Sequence, residues 1–310
     1  MKILVAGLIN VETTLKVNSF PVEYAPVHYP FFGVGSTVSG VGLNVAKALT
    51  VLGAETPLLS IVGKDRFGRL SVDELESCRV GTENVLSLME ETPQSVILYD
   101  ADGRRQINVD LKDIQETAYP LGRFDEAADG AAVACLCNIN FARPLLSEAK
   151  RLGVKIATDL HVYSDLGDSY NRDYLEAADI LFVSNEGVVG REAGFMRTLI
   201  GGCAAEVICI GMGAQGAMVY SRKDGGIRRY SAVVTRPIVN TIGAGDSLFS
   251  AFIFFYALDG DIDQAIRRAI LFASWKIGVK GAAEGFCSRE ELEELFRRYG
   301  KDIESHSVEC

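Results

Sequence analysis

The chain has 310 residues, 48% hydrophobic and 23% charged, the balance of a globular protein with ample core. Its formal net charge of −10 argues against a nucleic-acid surface, which needs clustered Lys and Arg, but not against a nucleotide pocket lined by backbone amides. No run reaches the roughly 18 apolar residues of a membrane helix, and the opening strand, residues 1–7, is too brief for a signal-peptide core. Seven cysteines without metal-ligand spacing fit free thiols in a reducing cytoplasm, with Cys135 and Cys137 sharing one strand face. Without repeats or low-complexity linkers, the expectation is one folded unit over residues 1–310.

Residues 2–7 read as a buried strand. Asn10 and Glu12 follow it, where open α/β sheets bind ligands. Residues 28–38, carrying Gly33 and Gly35, read as an exposed strand. A helix pattern begins within Ser39-Gly40-Val41-Gly42-Leu43-Asn44 and stops at Gly53. Gly40 and Gly42 let a ligand approach backbone N–H groups, and Asn44 offers both a donor and an acceptor to a hydroxyl-rich ligand. Two strand-like halves, 95–99 and 105–109, are joined by the hairpin chemistry of residues 100–104. With 11–17 and 28–38, the stretch 95–110 is expected to form a small sheet outside the main one.

From Ala132 the pattern alternates strand and helix, which implies βαβ units and a parallel sheet. Strands are expected at 133–137, 155–159, 180–183 and 207–210, and helices at 142–152 (ended by Gly153), 172–178 and 191–201. Asn138, Asn140, Asp159 and His161 lie just beyond strand ends; His161 reads as a loop histidine able to reach a ligand. Gly211, Gly213 and Gly216 spell Gly-x-Gly-x-x-Gly, but residues 217–220 continue as a strand where a dinucleotide site needs a helix.

Residues 230–234 read as a strand, and 247–258 as a buried apolar helix. Between them lies Asn240-Thr241-Ile242-Gly243-Ala244-Gly245-Asp246. Small residues at a helix start leave the first N–H groups open to an anion. Asp246 reads either as an N-cap or as a base beside a phosphate site. A further helix spans 263–279, a loop 280–285 and an amphipathic surface helix 288–299; the last ten residues look disordered.

Gly243-Ala244-Gly245-Asp246 resembles the signature of the ribokinase (PfkB) family of carbohydrate kinases, and residues 39–68 resemble its first signature, with Ser39 at a usual glycine. The resemblance extends from Met1 to about Tyr299. It implies a three-layer α/β/α sandwich with a mostly parallel central sheet and a small β lid, often a homodimer interface. It also implies transfer of the ATP γ-phosphoryl to a hydroxymethyl group of a small sugar in the cytoplasm. Asp246 would be the base, with the Gly243, Ala244 and Gly245 amides as anion hole. Asn10, Glu12, Gly40, Gly42 and Asn44 would hold the sugar, with Glu12 at a family Asp. Asn185, Gly213, Gly216 and Thr241 would lie on the nucleotide side.

Mg²⁺ is implied through an Asn-x-x-Glu motif, in which Asn185 matches and Val188 replaces Glu; Glu186 and Glu192 are the nearby acids, at other spacings. Some members hold a monovalent cation between the loop 280–285 and the first residue of the central motif, an Asp that is Asn240 here, which weakens such a site. Two other readings share the pattern. One is a nucleoside kinase, with Tyr99, Phe31 and Phe32 as candidates to stack on a base; the other is a sugar-binding regulator without turnover, resting on Glu12, Val188 and Asn240.

Overall fold

The computed structural model describes residues 1–101, 104–165 and 167–308. In chain order the elements are β1 (Lys2–Ala6), β2 (Asn10–Lys16), β3 (Val34–Ser39), α1 (Val41–Val51), β4 (Leu58–Gly63), α2 (Arg66–Ser77), β5 (Val85–Met89), β6 (Gln94–Tyr99) and β7 (Arg105–Asp110). There follow α3 (Leu121–Ala128), β8 (Ala131–Leu136), α4 (Arg143–Leu152), β9 (Lys155–Val162), α5 (Arg172–Ala177), β10 (Ile180–Ser184), α6 (Glu192–Gly202) and β11 (Val207–Gly211). The last are β12 (Ala217–Ser221), β13 (Gly226–Tyr230), α7 (Ala244–Asp259), α8 (Ile262–Lys276), α9 (Arg289–Tyr299) and β14 (Ser305–Val308).

The large sheet has the order β14-β13-β12-β11-β10-β9-β8-β1-β4-β5. It is parallel from β11 to β5 and antiparallel at the β12–β14 edge. Strand β1 shows how it is covered. Ile3 and Val5 join the core under α1, α7 and α8, while Leu4 and Ala6 join the core under α3 to α6. An apolar run with alternate residues buried on opposite sides is what a doubly covered parallel strand requires. Helix α7 is apolar nearly all round because the sheet and α8 enclose it, and Phe249 and Phe252 both pack on Phe182 of β10 at ring separations of 5.2 Å. The chain reverses its direction of strand addition between β1 and β8, and ligands of such sheets bind outside the carboxyl ends at that point.

A second sheet, β3-β2-β6-β7, stands apart from the first. It contains the three expected stretches, with one change. Residues 28–33 are not strand; Pro26 and Pro30 lack the N–H a ladder needs, and pairing with β2 begins only at Val34. Asp102 and Gly103 of the expected turn lie outside the described residues.

Three other expectations are corrected, and the start of α1 is fixed within its expected stretch. The strand expected at 230–234 is instead β13, which ends at Tyr230; there Ser231 turns to donate to the Glu304 carbonyl. The C-terminal segment is ordered as β14, held by its ladder to β13. Helix α8 ends at Lys276 rather than 279. Helix α1 starts at Val41, since Ser39 is still paired in β3 and Gly40 turns the corner at φ 109°. No helix among the described residues is long and apolar enough to cross a membrane.

Candidate active site

Helix α7 is capped by Gly243 in the left-handed conformation (φ 76°), where a Cβ would lie 2.4 Å from the Ala282 carbonyl oxygen. Only glycine fits there. Asp246 is therefore the third helical residue and not the N-cap, and its side chain does not cap the helix. Among the described residues the Gly243, Gly245 and Asp246 amides meet no acceptor, whereas Ala244 N donates to the Thr241 carbonyl at 3.2 Å. The turn thus offers several open N–H groups at the positive end of a sixteen-residue helix.

The two motifs meet at this turn. Asn44 Nδ2, on α1, donates to Asp246 Oδ2 at 2.7 Å across a sequence separation of 202. Asn44 Oδ1 accepts from Ser39 Oγ at 3.3 Å, and the Ser39 side chain lies close enough to the Glu12 carboxyl to favour its ionised form. The approach of α1 depends on Gly42, where a Cβ would lie 2.5 Å from the Gly7 carbonyl carbon, and on Gly40, packed against Leu8.

Glu12 and Asn10 project from β2 of the small sheet. Glu12 is 7% exposed and its Oε1 has no hydrogen-bond partner. Asn10 Nδ2 donates to Ser95 Oγ at 2.9 Å, leaving Asn10 Oδ1 unpartnered. Two buried acceptors without donors are costly unless a ligand supplies hydroxyls. Burial and the nearby Asp246 carboxylate push the Glu12 carboxyl above its ordinary range. Burial also raises Asp246, opposed by His161 and by the Asn44 amide.

His161, expected in a loop, closes β9 in a left-handed conformation (φ 56°). Its backbone N–H donates to Asp159 Oδ1 at 2.8 Å, and Asp159, His161 and Asp246 each bring one ligand atom within 4.8 Å of the others. The two carboxylates suit a hard divalent ion completed by water and phosphate oxygens, whereas an imidazole suits a softer transition metal. Val188 is 3% exposed and packs in the core under α6, so it offers no oxygen. Asn185 instead donates to Glu192 Oε1 at 3.0 Å, and Glu186 pairs with Arg105 of β7 at 3.6 Å.

Thr241 is exposed beside the turn. Gly213 lies in a short 3₁₀ turn after β11, and Gly216 packs on the end of β13 with φ 91°. Strand β12 follows directly, as residues 217–220 require. Tyr99 is half-buried in β6, but Phe31 and Phe32 are exposed. A cavity of about 680 Å³ between α6 and the β12–β14 edge is lined by Glu192 but by none of the residues expected to bind sugar or nucleotide.

Lys276 is a site residue that the sequence reading misses. It is fully buried, and its ammonium donates to the carbonyls of Ile242 and Gly281. The available signal is its place on the buried stripe Ala265, Ala269, Phe272 and Lys276 of α8, an unusual position for a lysine.

Comparison with known proteins agrees with the fold. The pfkB family carbohydrate kinase profile matches residues 1–290. Acarbose 7(IV)-phosphotransferase of Actinoplanes sp. is 25% identical over 292 residues, covering 94% of this chain and 96% of that protein. Deoxyribokinase of Salmonella typhi is 25% identical over 311 residues, covering 95% and 98%. Among solved structures, a microbiome-derived acarbose kinase superposes with a TM-score of 0.85 at 27% identity, covering 96% of this chain and 99% of that one. Ribokinase of Arabidopsis thaliana, complexed with ribose and ATP, gives 0.77 at 19% identity, covering 96% and 98%. The chain belongs to the pfkB family and is a carbohydrate kinase, an ATP-dependent phosphotransferase acting on a sugar hydroxyl.

Proposed function

We propose that Asp246 is the base of this transfer and that the acceptor is a hydroxymethyl group of a small sugar or sugar-like glycoside. The observation that carries this reading is the Asn44–Asp246 bond, which joins the glycine-rich start of α7, with its open amides, to the glycine-rich start of α1. Kinases of this family use ATP with a divalent metal; the nucleotide supplies the γ-phosphoryl and the ion, here Mg²⁺, screens the phosphate charge. The Asp159 carboxylate would hold that ion beside Gly245, while Asp246 takes the acceptor's proton as its oxygen attacks phosphorus and the bond to the leaving ADP breaks. The Gly243 and Gly245 amides stabilise the charge on the equatorial oxygens. Asn44 keeps Asp246 oriented and ionised, and Glu12 and Asn10 accept hydrogen bonds from the other sugar hydroxyls. A nucleoside acceptor is less supported, because two of the three aromatics considered for base stacking lie on the surface.

The test begins with an ADP-release screen of pentoses, hexoses, acarbose and nucleosides. With the best acceptor, Asp246→Asn is expected to lower kcat by about 10²–10⁴ while nucleotide affinity holds. Turnover near wild type would remove Asp246 from the mechanism.

A further inference from the structure

Some members of this family place a monovalent cation under the anion-hole turn, and the residues of this chain do not fit one. Asn240 is neutral, and its Oδ1 already accepts from Ile242 N at 2.8 Å. The carbonyls of Ile242 and Gly281, which face each other there, both accept from the Lys276 ammonium. A cation is therefore already present, tethered to the last turn of α8, where the helix dipole favours positive charge.

We propose that Lys276 is the built-in cation of the anion-hole turn, a positioning residue that makes phosphoryl transfer independent of added monovalent ions. The argument is geometric. In a planar trans peptide, C=O and N–H point in opposite directions. Fixing the Ile242 carbonyl on the ammonium therefore aims the Gly243 N–H the other way, into the space where the transferred phosphoryl would sit. The second bond ties the 278–285 loop to the same point, next to the Ala282 carbonyl against which Gly243 packs. One charge thus holds both sides of the turn. Burial pulls the ammonium down to about 8, while the carboxylates of Asp246, Glu12 and Glu284 favour its charged form and Arg236 opposes it. A lysine kept here against full burial has a charge to neutralise and carbonyls to satisfy.

The inference rests on the kinase reading, but its test does not need the acceptor. Thermal melts of the full chain are run in buffers containing only K⁺, only Na⁺ or only choline. Wild type is expected to melt at one temperature in all three, while Lys276→Ala, which opens a carbonyl-lined hole, is expected to melt higher in K⁺ than in choline. With an acceptor in hand, wild-type kcat should be the same in all three buffers. Lys276→Ala in choline should lose about 10²-fold, the worth of one misplaced oxyanion donor, and recover with K⁺ or methylammonium.

Lys276→Met fills the hole without charge and should stay slow in every buffer, with nucleotide KM little changed. Strong activation of wild type by K⁺ would overturn the proposal, as would a Lys276→Met enzyme with wild-type kcat. Should neither variant fold, the wild-type comparison alone decides. If no acceptor is found, the kinase reading fails while the melts still report on Lys276.

Discussion

Three buried charged groups, Glu12, Asp246 and Lys276, and the half-buried Asp159 are drawn together by chain segments that show little sign of it locally. Glu12 carries the clearest energetic consequence. Burial, and then the Asp246 carboxylate, hold its carboxyl above the ordinary glutamate value of 4.5. The folded chain therefore keeps a proton that the unfolded chain releases, and this group's contribution to stability falls as pH rises through that window. Above that window the ionised carboxylate is buried, lacks one hydrogen-bond partner and faces the Asp246 carboxylate. Glu12→Gln is expected to stabilise the ligand-free protein by about 1 kcal/mol or more, the low end of what an unsatisfied buried group costs. Melting curves of both proteins from acid to neutral pH check this, since the gain should vanish where wild-type Glu12 is protonated. A gain that does not vary with pH, or a loss, would mean that Glu12 already has compensating donors. The variant should bind acceptor less well, because an amide offers one acceptor oxygen where the carboxylate offers two.

At the scale of elements, what can be read from the sequence is whatever is written locally. The amphipathic period of α4 and α9, the unbroken apolar run of α7, and the glycines that follow α1 and α4 all lie within their own segments. Strand β14 cannot be read, because Ser305–Val308 has no apolar signature and exists only through its ladder to β13. Lys276 reads as an ordinary helix end, since the carbonyls that make it a site come from two other segments. Glycine roles divide in the same way. At Gly53 (φ 96°) an added Cβ would meet nothing within 4 Å, whereas at Gly243 (φ 76°) it would abut the Ala282 carbonyl. Both substitutions to alanine carry the left-handed penalty of about 1–2 kcal/mol, but only Gly243→Ala must also displace the turn. Gly53→Ala should lower stability by that penalty alone and leave kcat unchanged. Gly243→Ala should lower stability further and reduce kcat by about 10²-fold or more as its N–H moves off target. Denaturant melts and kcat, measured side by side, separate the two effects; equal kcat in both variants would mean that the turn tolerates displacement.

Over the whole molecule, the small sheet is the part whose surface is least finished. Every residue of β7 is exposed, and one side of its ladder is unpaired among the described residues. Ile107 and Val109 are each 50% exposed. Through their pairing with Ile97 and Ser95, they share a face with Asn10, which bonds Ser95. Half-exposed apolar residues along an open strand edge call for a cover, and a second copy of the same sheet would supply one by two-fold symmetry. A homodimer through this sheet is the expected state. The acceptor site would then depend on it, because β2 of the same sheet carries Glu12 and Asn10. Ile107→Lys places a charge on the half-exposed strip without opening the core, so the fold should survive. Light scattering should then show a dimer for wild type and a monomer for the variant. The monomer should keep its nucleotide KM and show a raised acceptor KM, since a sheet that is not clamped holds Glu12 less firmly over the cleft. A monomeric wild type at concentrations well above micromolar would remove the dimer, a dimeric variant with both constants unchanged would place the interface elsewhere, and either would leave this apolar strip to the acceptor alone.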